Sequence, residues 1–144
     1  MKNILIFIDA DEQTEQFVRT AIDILGERDN QFKVIHIAAP NPDFVGYQVG
    51  PQYIRDFRAH ELRDEHRLIQ MVSAKLIEQG LDVEGLLVQG PTAQSILDEV
   101  ENLKADLIVL GSHKHGFLYQ SLFGSITDTI LHKIEIPTLV IPIK

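Results

Sequence analysis

The sequence has no cysteine and no tryptophan, and only two methionines. Without cysteine, disulfides, thiolate nucleophiles and cysteine-based zinc sites are excluded together. Long apolar runs are missing too: none approaches the roughly 18 residues that a membrane-spanning helix needs. The chain opens on KNILIFID, a strand-like run, with no basic-then-apolar leader before it. The expectation is a soluble, cytoplasmic protein with no membrane partner. Basic residues are also scarce, 13 Lys and Arg against 21 Asp and Glu, for a net charge of −8. A nucleic-acid surface needs clustered cations to neutralise phosphates, so this balance argues against one. A small phosphorylated ligand needs only a local positive potential and stays possible. No Gly-Lys-Ser or Gly-Lys-Thr occurs, which removes the Walker A loop.

What is present is ordinary globular material. Of 144 residues, 44% are apolar and 24% charged, a composition that argues against disorder. A chain of this length folds as one domain and buries about two-thirds of its unfolded surface. Residues 1–144 are therefore read as a single domain.

Apolar runs of strand length alternate with stretches of helical spacing. Asn3 to Ile8 is the first strand, and Phe17, Ala21 and Leu25 with Val18 and Ile22 give the next segment one apolar helical face. Phe32 to Ala39 is a second strand, stopped by Pro40. A loop with Pro and Gly punctuation leads into a long charged helix from Gln52 to Gln79, striped by Ile54, Phe57, Leu62, Ile69, Val72 and Leu76. Leu86 to Gln89 is a short third strand, and Gly90-Pro91 opens a helix whose inner face is Ala93, Ile96, Leu97 and Val100. Asp106 to Leu110 is the fourth strand, Ser125 to Ile134 the fourth helix, and IPTLVIPI the last strand, its prolines suiting an edge. Continuous apolar strands alternating with helices predict a doubly wound α/β domain, with a mainly parallel five-stranded sheet covered on both faces.

In such folds ligands lie beyond the carboxyl ends of the strands. Asp9, the residues around Ala38, Gly90 and Gly111 leave those ends. The stretch LGSHKHGFLYQSLFGS, from Leu110 to Ser125, is the richest of these segments. Its glycines let backbone approach a ligand, and Gly124-Ser125 at a helix start would offer free N–H groups, a hydroxyl and the positive end of the helix dipole. A helix cap alone explains the same serine. His113 and His115 are spaced so that they face apart, which disfavours a metal site. His60 and His66 belong to a solvated helix face.

Asp9 and Asp11, in FIDAD, resemble the nucleophile strand of haloacid dehalogenase-like hydrolases, which implies a Mg²⁺-dependent phosphohydrolase. Gln13 departs from that pattern, and no acidic pair follows the fourth strand. Helix capping by Asp11 or a neighbour is the plainer reading.

The chain is identified as resembling a universal stress protein along nearly its whole length. The resemblance rests on Asp9 after the first strand, HIAAP after the second, the Gly90-Pro91 helix start, and DLIVLGSHKHGFLYQSLFGSITDTIL followed by IPTLVIP. ATP-binding members carry G-x2-G-x9-G-(S/T) here. Gly111, Gly124 and Ser125 match with the right span; Lys114 replaces the second glycine, and Gly116 lies two places on. The resemblance implies adenine near Ile37 and Asp9 and ribose near Leu110 and Gly111. It places phosphates over Lys114 to Gly116 and the amides of Gly124, Ser125 and Ile126. It further implies ATP, with or without Mg²⁺, a sensing or regulatory role toward a client protein, and a homodimer through Thr138 to Ile143. No dedicated nucleophile or general base marks the sequence, so at most slow hydrolysis is expected. A dimeric interaction module with a vestigial pocket is the alternative.

Overall fold

The computed structural model describes residues 2–8, 13–38, 52–89, 92–113 and 129–143. The elements run β1 (Lys2–Ile8), α1 (Thr14–Leu25), β2 (Asn30–Ala38), α2 (Gln52–Glu78), β3 (Val83–Gln89), α3 (Thr92–Asn102), β4 (Leu107–His113) and β5 (Thr138–Ile143). A helical segment at 129–133 precedes β5. The sheet order is β3-β2-β1-β4-β5, with every neighbouring pair parallel. None of the described helices is long and apolar enough to cross a membrane.

Alternation along the strands divides the core into two layers. Ile4, Ile6 and Ile8 of β1 face Phe17, Val18, Ala21 and Ile22 of α1 and Ile69, Val72 and Leu76 of α2. Leu5 and Phe7 face the other way, with Ile35, Ile37, Ile108 and Leu110, against Ile96 of α3 and Ile130. Because both faces of β1 are covered, its run is apolar without a break. Each fully buried side chain of this size contributes roughly 1.5–3 kcal/mol relative to exposure.

Helices α1 and α2 are also tied at their surfaces. Glu15 accepts from Arg19 (3.3 Å) and from Lys75 (3.4 Å), and Arg19 donates to Gln79 (3.0 Å). These donors, Arg19 first, hold the Glu15 carboxyl below the ordinary glutamate value. Helix α2 closes with Gly80 at φ 86°, where Leu81 N–H reaches the Leu76 carbonyl (3.2 Å) and Gly80 N–H the Ile77 carbonyl (3.0 Å). Helix α3 closes by the same pattern around Lys104 at φ 53°, a left-handed torsion carried by a residue with a Cβ.

Some boundaries differ from the sequence reading. Strand β3 begins at Val83 rather than Leu86. Glu84 and Gly85 break the apolar run, yet both have reasons to be in a strand. Glu84 pairs across to Lys33 at 3.1 Å. Gly85 lies under α2, where a Cβ would stand 2.5 Å from Ser73 Oγ and 2.6 Å from Ile69 Cγ2. Strand β4 continues through Gly111 and Ser112 to His113, since Gly111 to His113 pair with Ile141 to Ile143. The N-cap position of α1 falls on Gln13, whose carbonyl accepts from Phe17 N–H. The last strand lies at the sheet edge as expected.

Candidate functional site

The strand order reverses direction at β1, which is flanked by β2 on one side and β4 on the other. The chain builds the sheet outward from β1 through β2 to β3 on one side and through β4 to β5 on the other, which makes the β1–β4 boundary the switch point where ligands lie in such folds. The register shows the same opening. Pairs between β1 and β2 persist to Ile8↔His36, and those between β4 and β5 to His113↔Ile143. Between β1 and β4 they run from Ile4↔Leu107 to Ile6↔Val109, although both strands continue. The two central strands thus part at their carboxyl ends, with Ile8 and Gly111 on either side of the gap.

Of the residues expected at a ligand site, Leu110 and Gly111 of β4 border this gap, and Ile37 lies on β2, on the other side of β1. Leu110 and Ile37 belong to the core layer that also holds Phe7, at 5% and 7% exposure, so they can present an apolar floor but no polar group. Gly111 is buried in β4, paired with Ile141. Asp9, Asp11, Lys114, Gly116, Gly124, Ser125 and Ile126 lie outside the described residues.

A pair that the sequence reading passed over stands at the same end of the sheet. His36 interrupts an otherwise apolar stretch of β2 and is buried, on the face toward α2. Its Nδ1 lies 3.0 Å from the Ile8 carbonyl oxygen. A carbonyl only accepts, so Nδ1 carries the proton. Nε2 then faces Oε2 of Glu65, from α2, at 3.3 Å. That contact is attractive when a proton lies between the two atoms, and otherwise sets two lone pairs against each other. The available signal was a lone histidine, FKVIHIAA, in a run where its neighbours are apolar.

A parallel sheet in the order β3-β2-β1-β4-β5, with helices on both faces, defines a doubly wound α/β protein whose strand order switches between β1 and β4. The chain belongs to the universal stress protein family, whose model matches residues 1–142. Universal stress protein MJ0531 of Methanocaldococcus jannaschii is 26% identical, over 97% of this chain and 81% of that protein. The structure of MJ0577 from the same organism is similar with a TM-score of 0.74 at 21% identity, covering 99% of this chain and 96% of that one. An Arabidopsis thaliana family protein solved with AMP bound gives a TM-score of 0.67 at 16% identity, covering 100% and 93%. The Archaeoglobus fulgidus universal stress protein in complex with dAMP gives 0.61 at 19% identity, covering 98% of each chain.

Proposed function

We propose that this protein is a nucleotide-binding universal stress protein, taking ATP in the crevice between β1 and β4 and acting as a stress-response sensor or regulator in the cytoplasm. The whole chain works as one domain. The observation that carries the reading is the parting of β1 and β4 beyond Ile6 and Val109, which opens the sheet beside the chain entering Asp9 and beside Gly111. The AMP and dAMP complexes of proteins with this fold add support. In this reading Asp9 orients the nucleoside, and Ile37 and Leu110 supply an apolar surface for base and sugar. Gly111 and Gly116 admit the backbone close to the ligand. Lys114, with the Gly124, Ser125 and Ile126 amides, holds phosphate, with Mg²⁺ as a companion of the triphosphate. None of these groups is a nucleophile or base suited to attack on a γ-phosphate, so turnover stays below about one per second, the low end of ordinary enzymes.

Isothermal calorimetry with ATP and AMP, with and without Mg²⁺, tests the binding. Heat and saturation are expected; no binding at millimolar ligand sinks the reading in favour of an interaction module with a vestigial pocket. Steady hydrolysis faster than about one per second contradicts the slow chemistry.

The protein acts as a homodimer joined through β5. That strand is a sheet edge, and Val140 on it is 38% exposed, the kind of edge that pairs with another chain unless protected. Val140→Asp is expected to shift the species seen by analytical ultracentrifugation toward monomer. A wild type already monomeric at tens of micromolar removes the dimer. The client protein is the dimer's remaining partner, to be captured rather than inferred.

A further inference from the structure

We infer that His36 is a positioning residue for the nucleotide site, fixing the Ile8–Asp9 peptide through its Nδ1–H while Glu65 of α2 holds the ring from the other side. The inference rests on the nucleotide reading above and deepens it. Three observations carry it. First, His36 is a buried polar residue in a strand whose buried neighbours are apolar. A group of that kind is retained at a cost unless its hydrogen bonds are made. Second, its Nδ1 reaches the last described carbonyl of β1, 3.0 Å away. Registered pairing with β4 has already ceased at Ile6, so at Ile8 that neighbour no longer fixes the strand. The imidazole therefore adds a side-chain tie where one flank of the sheet has let go. That carbonyl belongs to the peptide that links Ile8 to Asp9, and a peptide unit is rigid and planar. Fixing its oxygen fixes the direction in which the chain enters Asp9. Third, Glu65 Oε2 lies 3.3 Å from Nε2, so α2 sets the plane of the ring. At that separation the contact is an ion-pair approach of the carboxylate to the ring edge rather than a short hydrogen bond.

The arrangement gives α2 a route into the crevice. Ile69, Val72 and Leu76 pack the helix against the sheet, and Glu65 adds a polar link from the same helix to the strand end. A change in α2 would reach the Ile8 carbonyl through the Glu65–His36 contact and the His36–Ile8 hydrogen bond rather than through the apolar core.

Two substitutions separate this role from simple packing. Asparagine places its amide nitrogen near the position of imidazole Nδ1, so His36→Asn keeps the donor to Ile8 and loses Glu65. Glutamine places its amide nitrogen nearer Nε2, so His36→Gln keeps Glu65 and loses Ile8. In the unliganded wild type, nitrogen-15 NMR of the imidazole should show Nδ1 protonated. The Asp9 amide should shift strongly in His36→Gln and little in His36→Asn. An unprotonated Nδ1, or equal shifts in the two variants, overturns the anchor. Titrations with ATP then test its use: His36→Gln should bind about tenfold more weakly than wild type and His36→Asn within about twofold, the span that one lost hydrogen bond produces. Wild type that binds while both variants bind equally overturns the positioning role alone. Wild type that binds neither ATP nor AMP overturns the nucleotide reading, and the role in binding with it.

Discussion

Gly85→Ala isolates the packing of α2 on β3. Gly85 has an ordinary strand torsion, so alanine meets no backbone strain, and the effect comes from space alone. The new methyl carbon would stand 2.5 Å from Ser73 Oγ, 2.6 Å from Ile69 Cγ2 and 3.3 Å from the Ile69 carbonyl oxygen. Ile69 is fully buried and Ser73 is 3% exposed, so neither can move into solvent. Forcing an extra methyl into a filled core costs about 1–3 kcal/mol. Against this, replacing glycine restricts the unfolded chain and returns about 0.4–1 kcal/mol. Crowding wins, with a net loss of about 1–2 kcal/mol, a fall in melting temperature of about 3–8 °C for a chain of this size. Ser73 offers a control. Its hydroxyl is buried with no hydrogen-bond partner among the described residues, so Ser73→Ala alone should stabilise by up to about 1 kcal/mol. In the Gly85→Ala background it should recover more, because it also clears the nearest contact; a coupling above about 0.5 kcal/mol is expected for touching sites. Thermal melts followed by circular dichroism and urea titrations measure all four proteins. Gly85→Ala melting at or above wild type, or a cycle with no coupling, would refute the packing argument.

Lys104→Gly should stabilise by roughly 0.5–1 kcal/mol, since a left-handed torsion costs a residue with a Cβ about 1–2 kcal/mol and glycine's extra unfolded freedom takes part of that back; urea midpoints check it. Asn3→Ala removes Nδ2 hydrogen bonds to the Leu103 and Lys104 carbonyls, at 3.2 and 3.4 Å, and should cost about 1 kcal/mol by the same assay. Glu15→Gln should destabilise near neutral pH and cease to matter in acid. The folded carboxyl is held low by Arg19 and Lys75, so its contribution is present above the unfolded glutamate pKa and is lost as pH falls through the lower folded one. Melts across that range should show the two proteins converge. Lys114→Gly should weaken ATP several-fold and adenosine little, because one charge-assisted contact to phosphate is lost; tighter ATP binding by the variant would mark Lys114 as an obstruction.

The alternation of apolar runs was enough to place the elements, because a strand covered on both faces has no choice of residue types. Strand order was not legible, since periodicity reports which face a residue takes and not which strand lies beside it. With the order known, Ile8 at the end of β1 and Gly111 of β4 become the two sides of one gap. The amino end of β3 was missed because Glu84 and Gly85 answer to neighbours distant in sequence, Lys33 on β2 and Ser73 and Ile69 on α2. Strand β4 was cut short at Leu110 because glycine, serine and histidine have low strand preference, and pairing to β5 overrides it. Ile37 and Leu110 were legible as site candidates through the family resemblance, and Gly111 as a strand-end residue, though it lies two residues inside β4. His36 was not, because a histidine in a strand gives no sign of its partners until Ile8 and Glu65 are seen on either side of it.

The physics that builds the core also determines where chemistry can enter. Apolar residues occupy β1 from Ile4 to Ile8 because a polar group in that layer would lose its water without a replacement. Polar residues therefore begin where the sheet ends, at Asp9 after β1 and at Ser112 and His113 in the last residues of β4. His36 is the buried polar residue among the described strand positions. It is accommodated because the Ile8 carbonyl accepts from Nδ1 and the Glu65 carboxylate stands 3.3 Å from Nε2. Moving it one residue along β2 would turn it toward α3 and away from Glu65, since successive strand residues face opposite sides. The same alternation that makes Ile35 and Ile37 pack against α3 thus aims His36 at α2. A single strand serves stability on one face and fixes the end of β1 on the other, which is why the polar exception falls one pleat before the crevice rather than deeper in the sheet.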